Sequence, residues 1–195
     1  MTIGSDIVME SGSFLQVDTH TLQNASKRVV DPRDADFTRA DEQEIGAAVE
    51  AYIGPFLDGD DGDWVLQERE RLHCLFVRTT LELMRVTARR GQYERALEYG
   101  RRILASDPLR ESVQCDVMVL LVLNGQRAEA IHAYQRLKSV LKSDLGVDPM
   151  PDTKRLHQEI LSGEIFNVLN GYTSMHFGSG SEAIRSGAAC QRPLS

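Results

Sequence analysis

The sequence has no apolar run long enough to cross a membrane. Its longest, Val117-Met118-Val119-Leu120-Leu121-Val122-Leu123, is about a third of the ~20 residues a spanning helix needs. The first residues lack the basic-then-apolar pattern of a secretion signal, so a cytoplasmic protein is expected. Cysteine is scarce: Cys74, Cys115 and Cys190 are odd in number, far apart and without a CxxC pair. That argues against a disulfide framework or a zinc site and leaves Cys74 and Cys115 as expected small core residues. No HExxH, P-loop or nucleophile-base order occurs in a strand-turn-helix setting, so neither catalysis nor a cofactor or metal is expected.

A dense basic stripe of the kind a free-standing DNA binder needs is also missing. Residues 1–63 hold 14 Asp and Glu against 4 Lys and Arg, a balance of −10. The remainder holds 29 − 14 = 15 acids and 22 − 4 = 18 bases, a balance of +3. The acidic half excludes a nucleic-acid surface. A hydrophobic content of 42% is nevertheless enough for a core in a chain of 195 residues.

What the chain does contain is a repeat. Gly91-Gln92-Tyr93-Glu94-Arg95-Ala96-Leu97 is followed 34 residues later by Gly125-Gln126-Arg127-Ala128-Glu129-Ala130-Ile131. That period is the period of a tetratricopeptide (TPR) helical hairpin. Such hairpins cannot bury their apolar faces alone, so they stack and leave surfaces that hold other macromolecules. The expected fold is all-α, a TPR-like array of antiparallel helix hairpins with right-handed stacking.

Local signals fill in the rest. Short strands at 7–9 and 14–17, around Glu10-Ser11-Gly12-Ser13, suggest a β-hairpin. Helices are expected at about 19–29 and 41–56, then from Asp63 as a cap to the turn at Gly91. Further helices are expected at about 93–105, 109–123, 127–144 and 152–161. Asp107-Pro108 and Asp152 are read as helix starts. Ala96 is expected at the close crossing of the first hairpin, whereas Gly100 stands where a large residue belongs. Residues 163–195, rich in Gly and Ser, read as a flexible tail, and the formal G-x-G-x-x-A match from Gly178 to Ala183 reads as linker.

Several ordered motifs add a resemblance. Asp63-Trp64-Val65-Leu66, Gly91-Gln92-Tyr93 with Ala96-Leu97, Asp107-Pro108-Leu109-Arg110-Glu111, Gly125-Gln126-Arg127-Ala128-Glu129-Ala130 and Leu145-Gly146-Val147-Asp148-Pro149 with Thr153 resemble the bacterial transcriptional activator domain. Gly54-Pro55-Phe56-Leu57 fits the same pattern. This is the TPR-like module of regulators similar to the Streptomyces antibiotic regulatory proteins. The resemblance covers roughly residues 18–162. It implies a regulatory and oligomerisation role beside a winged-helix DNA-binding domain, for which this chain is expected to have no room. Residues 1–17 would be the remnant of the joint between the two, and DNA would be reached only through that missing domain.

One candidate surface stands out. Arg71, Arg78, Arg85 and Arg89 are spaced 7, 7 and 4, which at about 100° per residue puts them on one helix stripe. On a TPR-like hairpin that face would line the groove and clamp an acidic peptide or a small anionic ligand. The structural alternative pairs these arginines with carboxylates of 41–50 or of the 58–63 loop. Function is thus expected to be a regulatory and oligomerisation module, most simply a homodimer, working through protein contacts. The competing expectations are a TPR-type adaptor for an acidic peptide and a sensor of a small anion.

Overall fold

The structure is a computed structural model and describes residues 2–3, 6–7, 18–28, 38–59 and 61–163. Seven α-helices occur among them: α1 (Asp18–Arg28), α2 (Arg39–Glu50), α3 (Asp63–Arg89), α4 (Tyr93–Ser106), α5 (Glu111–Leu123), α6 (Arg127–Val140) and α7 (Pro151–Ser162). A π-helical turn, Leu141–Leu145, follows α6. The chain divides within α3 into two compact units, Met1–Thr79 and Thr80–Ser195.

The expected β-hairpin is not supported. Asp6–Ile7 pairs for two residues with Thr2–Ile3, and the expected partner strand at 14–17 lies outside the described residues. So does the tail from 164 onward, including the G-x-G-x-x-A match.

In unit 1, Thr38 and Asp41 form a capping box that starts α2. The Asp41 amide donates to Thr38 Oγ1 at 3.2 Å and the Thr38 amide to Asp41 Oδ2 at 2.9 Å. These bonds, with Arg28 beside them, hold the Asp41 carboxyl below the usual carboxylate range. Arg28, ending α1, also pairs with Glu44, so the end of α1 is tied to the first turns of α2. Leu22, Ile45, Val49, Val65, Leu72 and Phe76 form the core of this unit.

Unit 2 carries the repeat. Both of its copies close the preceding helix with the same two backbone bonds. Gly91 N–H donates to the Ala88 carbonyl and Gln92 N–H to Thr87; Gly125 N–H donates to Val122 and Gln126 N–H to Leu121. This double closure requires a left-handed residue just past the helix, and the two glycines supply it at φ +72° and +76°. The 34-residue period in the sequence is therefore a period of hydrogen bonds.

Helix α5 is the centre of unit 2. It packs against α4, α6 and α7, and accordingly Val113, Cys115 and the whole run Asp116–Leu121 are buried. A helix apolar on all sides can only be central. Gly100 of α4 lies against it: a Cβ built there would sit 2.6 Å from Val117 Cγ2 and 3.2 Å from Met84 Sδ. The missing large residue is thus the point of closest approach, since only a hydrogen fits between α4 and Val117.

Two expected helix starts are corrected. Asp107 is the C-cap of α4, and α5 begins four residues on at Glu111 after the N-cap Arg110. Asp152 lies inside the first turn of α7, whose N-cap is Met150 and whose first residue is Pro151. The capping carboxylate comes from another helix: Glu111 Oε2 accepts from the Met150 amide at 2.9 Å and from Thr153 Oγ1 at 2.8 Å. A negative charge there also meets the positive end of the α7 dipole. Two more ends differ from expectation: α2 stops at Glu50 rather than near 56, and α6 stops at Val140, where the last turn widens before Gly146 at φ +70°.

Candidate functional site

The arginine stripe falls on α3 and is shared between the units. Arg71 and Arg78 belong to unit 1, and both are exposed. Arg85 and Arg89, half-buried, belong to unit 2. Arg71 is bidentate to Glu68 on its own helix, Nε to Oε2 at 2.7 Å and Nη2 to Oε1 at 2.5 Å. That pair raises the Arg71 pKa and lowers that of Glu68. Arg85 Nη1 donates to Glu82 at 2.7 Å, again three residues back, while its buried Nε has no hydrogen-bond partner among the described residues. Arg89 lies in the last turn of α3, where a cation suits the helix dipole. The expected partners at 41–50 and 58–63 are not those of Arg71 and Arg85; Asp41 and Glu44 go to Arg28 instead.

Off the stripe, Arg69 of α3 braces a turn of unit 1. Arg69 Nε donates to the Phe56 carbonyl at 3.0 Å and its Nη2 to the Leu57 carbonyl at 2.8 Å. Leu57 sits at φ +44°, a left-handed conformation that a leucine adopts at a cost of about 1–2 kcal/mol. The guanidinium holds this non-glycine turn by its backbone.

The turn so held forms the wall of a pocket of about 390 Å³, lined by Leu22 of α1, Leu72 of α3 and the segment from Ala51 to Leu57. Tyr52 stacks on Phe76 with ring centroids 4.4 Å apart and an interplanar angle of 18°. Burial, and then the nearby Glu70 carboxylate, push the Tyr52 phenol pKa up. Phe56 meets Trp64 edge to face at 6.3 Å. Large apolar side chains at the pocket stand in solvent: Ile53 of the lining is 94% exposed and Leu57 is also exposed, as is Trp64 at 62%, which meets the lining residue Phe56. Isolated exposed apolar residues are ordinary, but three at one pocket are a surface that another molecule can cover.

Unit 2 exposes Leu161 of α7 and a cluster at the end of the π-helical turn and the loop to α7, Leu145, Val147 and Met150. Beneath it Cys115 Sγ lies 3.5 Å from Thr153 Oγ1, and burial pushes its thiol pKa up to about 11. Cys115 is therefore the core residue expected. Cys74 is not: it is exposed, with its Sγ 3.4 Å from Glu70. Among the described residues no cluster of His, Cys, Asp and Glu could hold a metal ion, and no helix is long and apolar enough to cross a membrane.

Comparison with known proteins places this geometry. The model of the family described as bacterial transcriptional activator domain matches residues 17–161. The regulatory protein AfsR of Streptomyces griseus is 29% identical over 119 residues, covering 61% of this chain and 11% of that protein. The transcriptional regulatory protein MoaR1 of Mycobacterium tuberculosis is 42% identical over 60 residues, 31% of this chain and 19% of its own length. The transcriptional regulatory protein EmbR of the same species is 27% identical over 128 residues, 61% of this chain and 31% of that one. The chain thus spans between about a tenth and a third of these relatives.

Proposed function

Because the chain belongs to the bacterial transcriptional activator domain family, we propose that it is the regulatory and oligomerisation module of a transcriptional activator, acting in the cytoplasm through protein contacts. The observation that carries this reading is the family match over nearly all described residues. The exposed apolar side chains Ile53, Leu57 and Trp64 and those at 145–150 support it, because exposed apolar patches rimmed by polar residues mark interaction surfaces. A homodimer would give a linked DNA-binding domain the twofold symmetry that paired half-sites require.

The test is concentration-dependent size together with a reporter assay. Fused to a monomeric DNA-binding domain, the chain is expected to drive transcription from a paired half-site and to sediment as a dimer at micromolar concentration. A strict monomer that leaves the reporter silent would end this reading.

A second reading is favoured by one atom, the buried Nε of Arg85, which has no hydrogen-bond partner among the described residues. An acidic peptide or small anion that supplied an acceptor there would turn the stripe of Arg71, Arg78, Arg85 and Arg89 into an adaptor or sensor surface. Glu68 and Glu82 would have to be displaced, which weighs against it. Loss of anion binding in Arg78→Glu and Arg85→Glu at unchanged melting temperature would establish this alternative.

A further inference from the structure

We propose that the pocket behind Gly54-Pro55-Phe56-Leu57 is the docking site of a basic, amphipathic segment of a partner protein, whose apolar anchor enters the pocket while its Lys and Arg residues lie on the carboxylates around the mouth. The proposal rests on the module working through protein contacts and names the chemistry of the partner.

Charge complementarity selects this occupant. From Asp41 to Glu68 the sequence carries nine carboxylates and no Lys, Arg or His. Three of the nine are neutralised, Asp41 and Glu44 by Arg28 and Glu68 by Arg71, and Glu42 is buried. Glu50 and Asp58, both exposed, flank the pocket-lining segment on either side, and exposed Asp61 and Asp63 precede Trp64. Arg69, the first cation after this run, is committed to the Phe56 and Leu57 carbonyls. An anionic partner would therefore meet repulsion at the mouth, and a cationic one attraction.

Shape argues for a peptide rather than a small molecule. A volume of 390 Å³ lies at the small end of the roughly 300–1,000 Å³ of ligand pockets. A small apolar ligand filling it would leave Trp64, which is 62% exposed and not part of its lining, in water. An amphipathic helix with anchors at i and i+3 or i+4 covers a pocket and its apolar rim together. Trp64 and Ile53 then act as the aromatic and aliphatic edges that exclude water around the anchor.

Trp64 is the sole tryptophan of the chain and reports on its own site. The probes are two synthetic helical peptides of equal length and identical leucine pattern, one with lysine and one with glutamate at the polar positions. Titrated into the full chain, the lysine peptide is expected to shift Trp64 emission to the blue and to bind at least about tenfold more tightly than the glutamate peptide. Ile53→Asp, at a side chain almost wholly in solvent, keeps the fold and adds negative charge; it is expected to weaken the lysine peptide by about tenfold. The pair Glu50→Lys with Asp58→Lys is expected to reverse the preference between the peptides.

Equal binding of both peptides, or undiminished lysine-peptide binding by Ile53→Asp, would overturn the proposal, the latter because charge alone would then be read. Dissociation of a peptide-free dimer by Ile53→Asp would overturn it too, by making a second copy the occupant. Failure of peptide binding with dimerisation and reporter activity intact would sink the site and leave the module reading standing. Peptide binding by a monomer silent in the reporter would do the reverse.

Discussion

Units 1 and 2 solve the same problem, reversing a helical chain, by different chemistry. Unit 2 ends α3 and α5 with a glycine in the left-handed region and two local backbone bonds, so its turns at 90–92 and 124–126 finish themselves. Unit 1 ends α2 without such a glycine. Its C-cap, Ala51, is right-handed, and the chain runs on through Gly54-Pro55 to Leu57, which needs a guanidinium from α3 to satisfy its carbonyl. The self-contained turns at 90–92 and 124–126 are built of Arg, Asn, Gln and Gly and expose no large apolar side chain. The propped turn leaves Ile53 and Leu57 outside and a pocket behind them. Local closure gives a regular scaffold, while closure by a distant side chain gives a surface with something unfilled.

The strongest way to break this comparison is to crowd the scaffold. Gly100→Leu would drive a side chain into Val117, already 2.6 Å from the position of the Cβ alone, and is expected to destabilise unit 2 by about 3 kcal/mol. Urea unfolding measures it, with Val117→Ala as partial rescue. Gly54→Ala in unit 1, where no described residue lies within 4 Å of the added carbon, should stay within about 0.5 kcal/mol. Similar losses at both positions would mean that the two units are packed alike.

A sharper contrast uses two arginines with the same task. Arg127 donates to the Ile160 and Leu161 carbonyls at 2.8 Å each, as Arg69 does to Phe56 and Leu57. Since α7 also closes through the Gly163 amide on Glu159, Arg127→Ala is expected to cost about 1 kcal/mol. Arg69→Ala removes the hold on a strained turn and is expected to cost about 2 kcal/mol and to change Trp64 emission. Equal costs and an unaltered spectrum would deny that unit 1 depends on its prop.

The smallest effect belongs to pH. His157 of α7 stacks on Tyr134 of α6, ring centroids 3.7 Å apart and 8° from parallel. Burial, and then Lys138, hold its pKa below the usual 6.5. The unfolded chain therefore takes up the proton more readily, so this contribution is complete above about pH 6.5 and declines as pH falls below it. Melting of unit 2 should drop on acidification, and His157→Phe should flatten the profile between about pH 7 and 5. A parallel decline in that variant would assign the acid sensitivity to other groups.

Most of the scaffold was legible because its causes are local. Gly91 and Gly125 mark their turns in the sequence and make them in the structure by the same bonds. What escaped depends on residues far apart. Asp107 looks like a helix start because aspartate and proline suit one, yet α5 begins later, where Glu111 can reach the α7 amide of Met150. Gly100 was read as an irregularity, although a glycine inside a helix is also the sign of a close neighbour. Spacing alone marks the stripe and is silent on Glu68 and Glu82, each three residues before its arginine. It is silent on Arg69 too, because a periodic pattern carries no trace of two carbonyls waiting across a loop.

The matched closures at Gly91 and Gly125 bear on how such a protein can change over generations. A turn completed by its own neighbours travels as a cassette: an unequal exchange between the two copies would lengthen or shorten the stack by one hairpin and still deliver a finished joint. The propped turn has no such freedom, because copying 51–57 without α3 would leave its arginine behind. Inheritance can therefore edit the length of one half of this molecule and only the lettering of the other.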